Sequence, residues 1–237
     1  LGLWLVAQNL KRVGGHLHRK RIIDGGRLMR MVRVNGDILI RSLCLQTAFV
    51  IVTAIGARMG DTILAANAVL LNFQMFSAYA LDGFANAAEA LTGEAIGARD
   101  RGRFRRAVKA TSFWALIFSV AFTVFYLASG VLIVNVLTDV PEVRETAYAF
   151  LPWVQFLPLV SVWSFQLDGI FIGATWTAEM RNGMAASLAV FAAVVFVLTP
   201  EMGNHGLWFS FTLFMGFRAL TLGVFYPRLE STLGKTT

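Results

Sequence analysis

Asn72-Phe-Gln-Met-Phe-Ser-Ala-Tyr79-Ala-Leu-Asp82-Gly-Phe-Ala-Asn86-Ala-Ala-Glu89-Ala-Leu-Thr-Gly93 is the stretch on which the fold turns. It lies inside an apolar run, 62–96, that contains no Lys, Arg or Pro. Asn72, Tyr79, Asp82, Asn86, Glu89 and Gly93 recur at spacings of seven, three, four, three and four, which at helical pitch places them within an arc of about 100°. A run this long exceeds the 20 or so residues that cross a bilayer. Its polar stripe carries two carboxylates, so that face is expected to look into a bundle interior or a water-filled cavity and the rest of the helix to meet apolar surroundings.

The composition agrees. Hydrophobic residues make up 57% of the chain and charged residues 15%, against roughly 45–50% and about 25% in soluble domains. Further apolar segments occupy 38–57, 104–137, 143–175, 183–199 and 206–226, which makes six with 62–96. Breaks are expected at Gly60-Asp61, 97–102, 139–142, 177–182 and 200–205, where glycine, proline and charge gather. The net charge of +7 would suit a nucleic-acid partner, but the charges lie at the ends of apolar runs, with no aromatic-and-basic platform between them. Nucleic acid is excluded on that ground.

If the six segments alternate in direction, nineteen of the 21 Lys and Arg fall on one side, leaving only Arg58 and Arg144 on the other. The positive-inside rule then puts the basic stretch 11–34, the Arg-rich loop after residue 97 and the C-terminus in the cytoplasm of a multi-pass plasma (inner) membrane protein. The expected organisation is the end of a preceding transmembrane helix at 1–10, a basic inter-lobe linker at 11–34, a six-helix lobe at 35–227 and a tail at 228–237. Cys44 is the only cysteine, which rules out an intrachain disulfide.

Two softer polar faces accompany the first. Ser161, Ser164, Asp168 and Thr175 share a 60° arc on the fourth segment. Ser42, Gln46, Phe49 and Thr53 line one side of the first. The candidate cavity residues are therefore Asp82, Glu89, Asp168, Asn72, Tyr79, Asn86, Gln46 and Ser161. Of these, Asp82 lies deepest, where a carboxylate either pairs with a cation or takes up a proton. Gly93-x-x-x-Gly97 and Gly169-x-x-x-Gly173 are sites of close helix approach. No P-loop is present. His16, His18 and His205 lie in connecting stretches, so no histidine stands at membrane depth. No catalytic residue, metal site or cofactor is expected, and the chain is not read as an enzyme.

Six stretches, in order along the chain, carry a family resemblance: Arg41-Ser-Leu-Cys-Leu-Gln46; Ala57-Arg-Met-Gly-Asp61 with Ala65-Ala-Asn-Ala-Val-Leu-Leu-Asn72; Tyr79-Ala-Leu-Asp-Gly-Phe84 through Glu89; Gly97-Ala-Arg-Asp100; Leu167-Asp-Gly-Ile-Phe-Ile-Gly-Ala174; and Gly203-Asn-His-Gly-Leu-Trp208. They resemble the multidrug and toxic compound extrusion (MATE) transporters, most of all the DNA-damage-inducible F subgroup. The resemblance implies twelve helices in two six-helix lobes around a central cavity, of which this chain matches the C-terminal lobe, the N-terminal lobe being absent. It also implies that the subgroup's proton-coupling carboxylate lies outside this chain, and that carboxylates of the sodium-type relatives fall here at Gln46 and Ser161.

The resulting expectation is the C-terminal half of an ion-coupled antiporter exporting small amphipathic organic compounds, with H+ favoured over Na+. Its cavity wall would be made by the polar faces of the first, second and fourth helices. A lipid-linked precursor flippase is the alternative. It would hold a diphosphate with cavity-facing arginines, and Arg41 is the one basic residue near that place.

Overall fold

The computed structural model describes Trp4, Gln8 and residues 24–233. The remainder of the stretch expected to end a preceding helix, the linker as far as residue 23 with His16 and His18, and residues 234–237 of the tail lie outside the described residues. Six helices follow in order: α1 Gly25–Arg58, α2 Asp61–Gly97, α3 Arg101–Leu137, α4 Pro141–Gly173, α5 Thr177–Met202 and α6 Asn204–Thr232. Each is long and apolar enough to cross a membrane. The chain is an all-α, multi-pass membrane protein.

Several boundaries differ from the sequence expectation, each for a local reason. α1 begins at Gly25, inside the stretch read as linker, because Asp24 caps it by accepting from the Gly26 backbone N–H at 2.9 Å. The expected break at 177–182 is instead the first turn and a half of α5. Two of its polar side chains are held by Asp37: the Thr177 hydroxyl donates to Asp37 Oδ2 at 2.9 Å and Arg181 Nη1 to Oδ1 at 2.5 Å. The chain reverses two residues earlier, at Thr175, whose φ is 58°. Pro200 lies within α5, and Gly203, at φ 57°, makes the turn into α6.

Residues 1–36 and 37–237 form two compact units, and the packing described below is that of the second. Its backbone is the crossing of α2 with α4. Gly169 sits against the Ala85 carbonyl and Gly173 against the Glu89 carbonyl, so closely that a Cβ at either position would overlap those atoms. Contacts advance by four residues on both helices together, so the two run parallel. α3 ties the pair together: the Tyr126 hydroxyl donates to the Phe73 carbonyl at 2.8 Å, and Gln155 Nε2 donates to the Tyr126 carbonyl at 3.0 Å. α5 and α6 form a hairpin whose turn brings Gly206 under the Leu198 carbonyl.

α1 joins the lobe through side chains. Phe49 packs edge-on against Phe211 of α6, and Gly56 leaves room for the Asn67 amide. Asn67 and Asn204 exchange two amide hydrogen bonds at 2.8 and 2.9 Å, and Trp208 Nε1 donates to Asn67 Oδ1 at 2.9 Å. This buried clasp satisfies the polar atoms of both amides while fixing α2 to α6. Three apolar clusters fill the lobe. One is built around Leu70, Phe73, Leu157, Phe191, Trp208 and Phe214, a second around Ala88, Phe104, Ile170, Phe171, Met180 and Leu222, and a small third around Leu81, Ala115 and Val162.

Filling the α2–α4 crossing is the sharpest way to test it. Gly169→Ala is expected to lower stability by about 1–3 kcal/mol through overpacking, read as a fall in the detergent melting temperature. Gly216→Ala, whose added Cβ would meet only Val160 at an ordinary 3.5 Å, should leave the melting temperature unchanged.

Candidate functional site

Three charged side chains meet within the lobe. Asp168, five residues before the end of α4, is 5% exposed, and Arg218, in the middle of α6, is 2% exposed. Arg218 Nη2 donates to Asp168 Oδ2 at 2.7 Å, and Arg41 Nη2 of α1 donates to the same oxygen. The Arg218 guanidinium also lies over two rings, its Cζ 5.7 Å from the centre of Phe165 and 5.8 Å from that of Phe214, and its Nη1 contacts Met215 Sδ at 3.1 Å. Two arginines on one carboxylate leave an excess of one positive charge. Asp82 of α2 is the remaining acid within Coulombic reach of all three groups.

The candidate residues separate into two sets. Asp168 and Ser161 are buried, Ser161 completely, with its hydroxyl donating to the Leu157 carbonyl at 2.9 Å. Ser164 is buried as well. The polar face of α4 thus turns into the lobe, where it meets α2 and α6, and does not form the cavity wall expected of it. The physical reason is that Asp168 on this face is taken up by Arg41 of α1 and Arg218 of α6, while α2 closes the neighbouring face at Gly169 and Gly173. On α2, by contrast, Asn72, Tyr79, Asp82 and Asn86 are all exposed, Tyr79 at 70%, and Glu89 is half-buried. Asn72 turns its amide nitrogen to the Ala68 carbonyl at 2.9 Å. Gln46 is exposed on α1.

Arg218 is the functional candidate that sequence reasoning missed, having been counted only among the basic residues of the cytoplasmic side. Its signal was present. It stands twelve residues into the apolar segment 206–226 with apolar neighbours on both sides, and an ionisable residue at such depth demands a partner. Arg41, likewise counted on the cytoplasmic side, sits within α1 and pairs with Asp168, and, with Arg218 beside it, is not the sole basic residue near that place. Without these two, the charge asymmetry between the two sides is still seventeen to two.

Beside the exposed face lies a cavity of about 340 Å³ between α2 and α3, walled by Phe73, Phe76, Phe122, Phe125 and Tyr126, with Asn72 at its edge. No group of three His, Cys, Asp or Glu side chains gathers among the described residues.

Removing the shared carboxylate strands two guanidiniums. Asp168→Asn is expected to cost on the order of 3–5 kcal/mol, the scale of an uncompensated buried charge. Arg41→Gln should cost clearly less, since it leaves the Asp168–Arg218 pair intact. Detergent melting temperatures of the two variants check the order.

A family model described as MatE matches residues 38–200. The chain is 41% identical over 228 residues to the DNA damage-inducible protein F of Escherichia coli (strain K12), a match covering 96% of this chain and 50% of that protein. It is 23% identical over 188 residues to Protein DETOXIFICATION 43 of Arabidopsis thaliana, covering 79% of this chain and 36% of that one. The chain therefore spans half or less of the length of these curated relatives. Among solved structures, the bent form of the Vibrio cholerae MATE transporter VcmN superposes with a TM-score of 0.87 at 14% identity, over 98% of this chain and 54% of that chain. A MOP superfamily transporter from Pyrococcus furiosus superposes with a TM-score of 0.75 at 17% identity, over 83% and 44%. The fold is thus shared with one half of such transporters, and by sequence the chain belongs to the MatE family.

Proposed function

We propose that this chain is the C-terminal lobe of a proton-coupled antiporter that exports small amphipathic organic compounds from the cytoplasm. The observation that carries the reading is the exposed polar face of α2, where Asn72, Tyr79, Asp82 and Asn86 stand open along a helix otherwise suited to lipid. Such a face meets a water-filled cavity in repeat-built transporters, whose sites lie at the interface of two lobes near mid-membrane. A companion N-terminal lobe, opposite this face, completes the cavity. The length of the curated relatives, about twice this chain or more, supports that arrangement.

Asp82 supplies the accessible carboxylate of the cavity wall, and Tyr79, one turn away, supplies an aromatic surface. A carboxylate beside aromatic groups suits an organic cation. Neutral residues at Gln46 and Ser161 favour H+ over Na+, because Na+ requires several converging oxygen ligands. The flippase reading is weakened by the same cluster: a diphosphate needs free guanidinium donors, whereas Arg41 and Arg218 both donate to Asp168. Transport, and not enzyme chemistry, is what this arrangement supports.

Reconstitution tests the reading. The chain joined to a first lobe from a close relative should show substrate-dependent proton flux in liposomes, and Asp82→Asn should reduce export at least tenfold. Asp100→Asn, which replaces the residue that caps α3 by accepting from Arg103 N at 2.8 Å, should export normally because asparagine caps equally well. Equal, undiminished export by both would remove Asp82 from the mechanism.

The proposed orientation places the C-terminus and the α2–α3 turn in the cytoplasm of the inner membrane, supported by the charge asymmetry. In a Cys44→Ser background, an impermeant thiol reagent added outside intact cells should label Val140→Cys and spare Gly102→Cys. The reverse pattern would invert the topology.

A further inference from the structure

We infer that the start of α3 is a docking site for an anionic phospholipid, with Arg106 and Lys109 taking its phosphate and the apolar face beyond them taking its acyl chains. α3 carries Arg101, Arg103, Arg105, Arg106 and Lys109 and no Asp or Glu anywhere along its length. Three of these cations are matched by acids on neighbouring helices. Arg101 and Arg105 share Glu230 of α6, and Arg103 Nη2 meets Glu94 of α2 at 2.8 Å. Asp100 is engaged as the cap of α3, accepting from the Arg103 backbone N–H. Among the described residues, Arg106 and Lys109 have no ion-pair partner, and both are exposed.

These two stand three residues apart, side by side on the helix, where like charges repel unless an anion lies against both. The Arg106 guanidinium folds back toward the start of α3, its Nη1 coming within 3.6 Å of where a Cβ on Gly102 would stand. In the other direction the same face continues through Phe113, Ile117, Val120, Val124, Leu127 and Val131, all exposed. With Arg106 and Lys109 these residues fall within an arc of about 80°. From Phe113 to Val131 the stripe rises about 27 Å, close to the thickness of the hydrocarbon layer. Trp114 is exposed beside Phe113, their ring centres 5.9 Å apart, at the level beyond Lys109 where aromatic side chains mark the membrane interface.

The order of parts along this face is therefore cation pair, aromatic pair and hydrocarbon-length apolar stripe. An anionic phospholipid has the complementary order of phosphate, interface and acyl chain. A soluble phosphate would answer only the first part. A zwitterionic phospholipid brings its own ammonium group, whereas an anionic one leaves the charge of its phosphate free for two basic side chains.

Photocrosslinking from the stripe tests the inference. Phe113→p-benzoylphenylalanine and, separately, Val131→p-benzoylphenylalanine are made in the 237-residue chain and held in nanodiscs of phosphatidylcholine with a minor share of phosphatidylglycerol. Adducts are weighed by mass spectrometry. The probe in place of Phe113 should capture phosphatidylglycerol severalfold above its share of the bilayer, and the probe in place of Val131 close to that share. Adding Arg106→Gln with Lys109→Gln to the first variant should bring capture down to the bilayer share. Arg101→Gln with Arg103→Gln, which removes the same charge from residues already paired, should leave the enrichment in place. All four side chains are exposed, so neither double variant disturbs the packed interior, and equal melting temperatures check this. Capture in proportion to bilayer composition in place of Phe113 overturns the inference. Equal loss in both double variants overturns it as well, because the attraction is then that of the whole loop. So does suppression by excess glycerophosphate, which would make this a site for free phosphate.

Discussion

Everything in the lobe is arranged around one carboxylate oxygen that accepts from two arginines on different helices. Asp168 immediately precedes the first glycine on which α4 crosses α2, and it joins α1 and α6, which also meet where Phe49 packs on Phe211. The interaction is expensive to assemble, since each partner surrenders water on entering the membrane. It also sets constraints on its neighbours. Residue 169 must be glycine for the crossing to close, and Phe165 and Phe214 must present their rings to Arg218.

Packing on two sides of α4 explains why polarity is distributed as it is. Its glycine side is closed by α2 and its polar side is buried within the lobe, so Ser161 and Ser164 turn their hydroxyls onto carbonyls of their own helix. The side of α2 next to the crossing is free of such contact and keeps Asn72, Tyr79, Asp82 and Asn86 open. One helix thereby serves as both structural partner and exposed wall. Asp82 lies where the two roles meet, open on one side and within Coulombic reach of the buried triad on the other.

Much of this was legible in the residues alone. Apolar runs of spanning length gave the number and rough limits of the helices, because lipid leaves little alternative for such runs. The α2 stripe followed from its 3.6-residue period. The limits failed where polar side chains are satisfied by distant partners: 177–182 looks like a loop until Asp37 is seen to take up Thr177 and Arg181. The α4 face failed for a related reason. Periodicity shows which residues share a side of a helix but not what lies opposite, and at Asp168 the opposite groups come from positions 127 residues earlier and 50 later. Counting positive charge by side of the membrane absorbed Arg218 into the cytoplasmic total, although its apolar neighbours on both sides marked it as buried.

The order of those three residues along the chain has a consequence for biogenesis. Ribosomes deliver helices to the membrane one after another, so Asp168 enters the bilayer some fifty residues before Arg218 has been made. A lone carboxylate at such depth carries an insertion penalty of about 2.5–3.5 kcal/mol. Arg41 has by then already been inserted on α1 and is the cation waiting for it. The first arginine therefore acts as an escort for Asp168 during synthesis, and the carboxylate in turn receives Arg218 when α6 arrives. A helix attached to the finished lobe only by side chains is, on this account, the one that makes the lobe's central acid insertable.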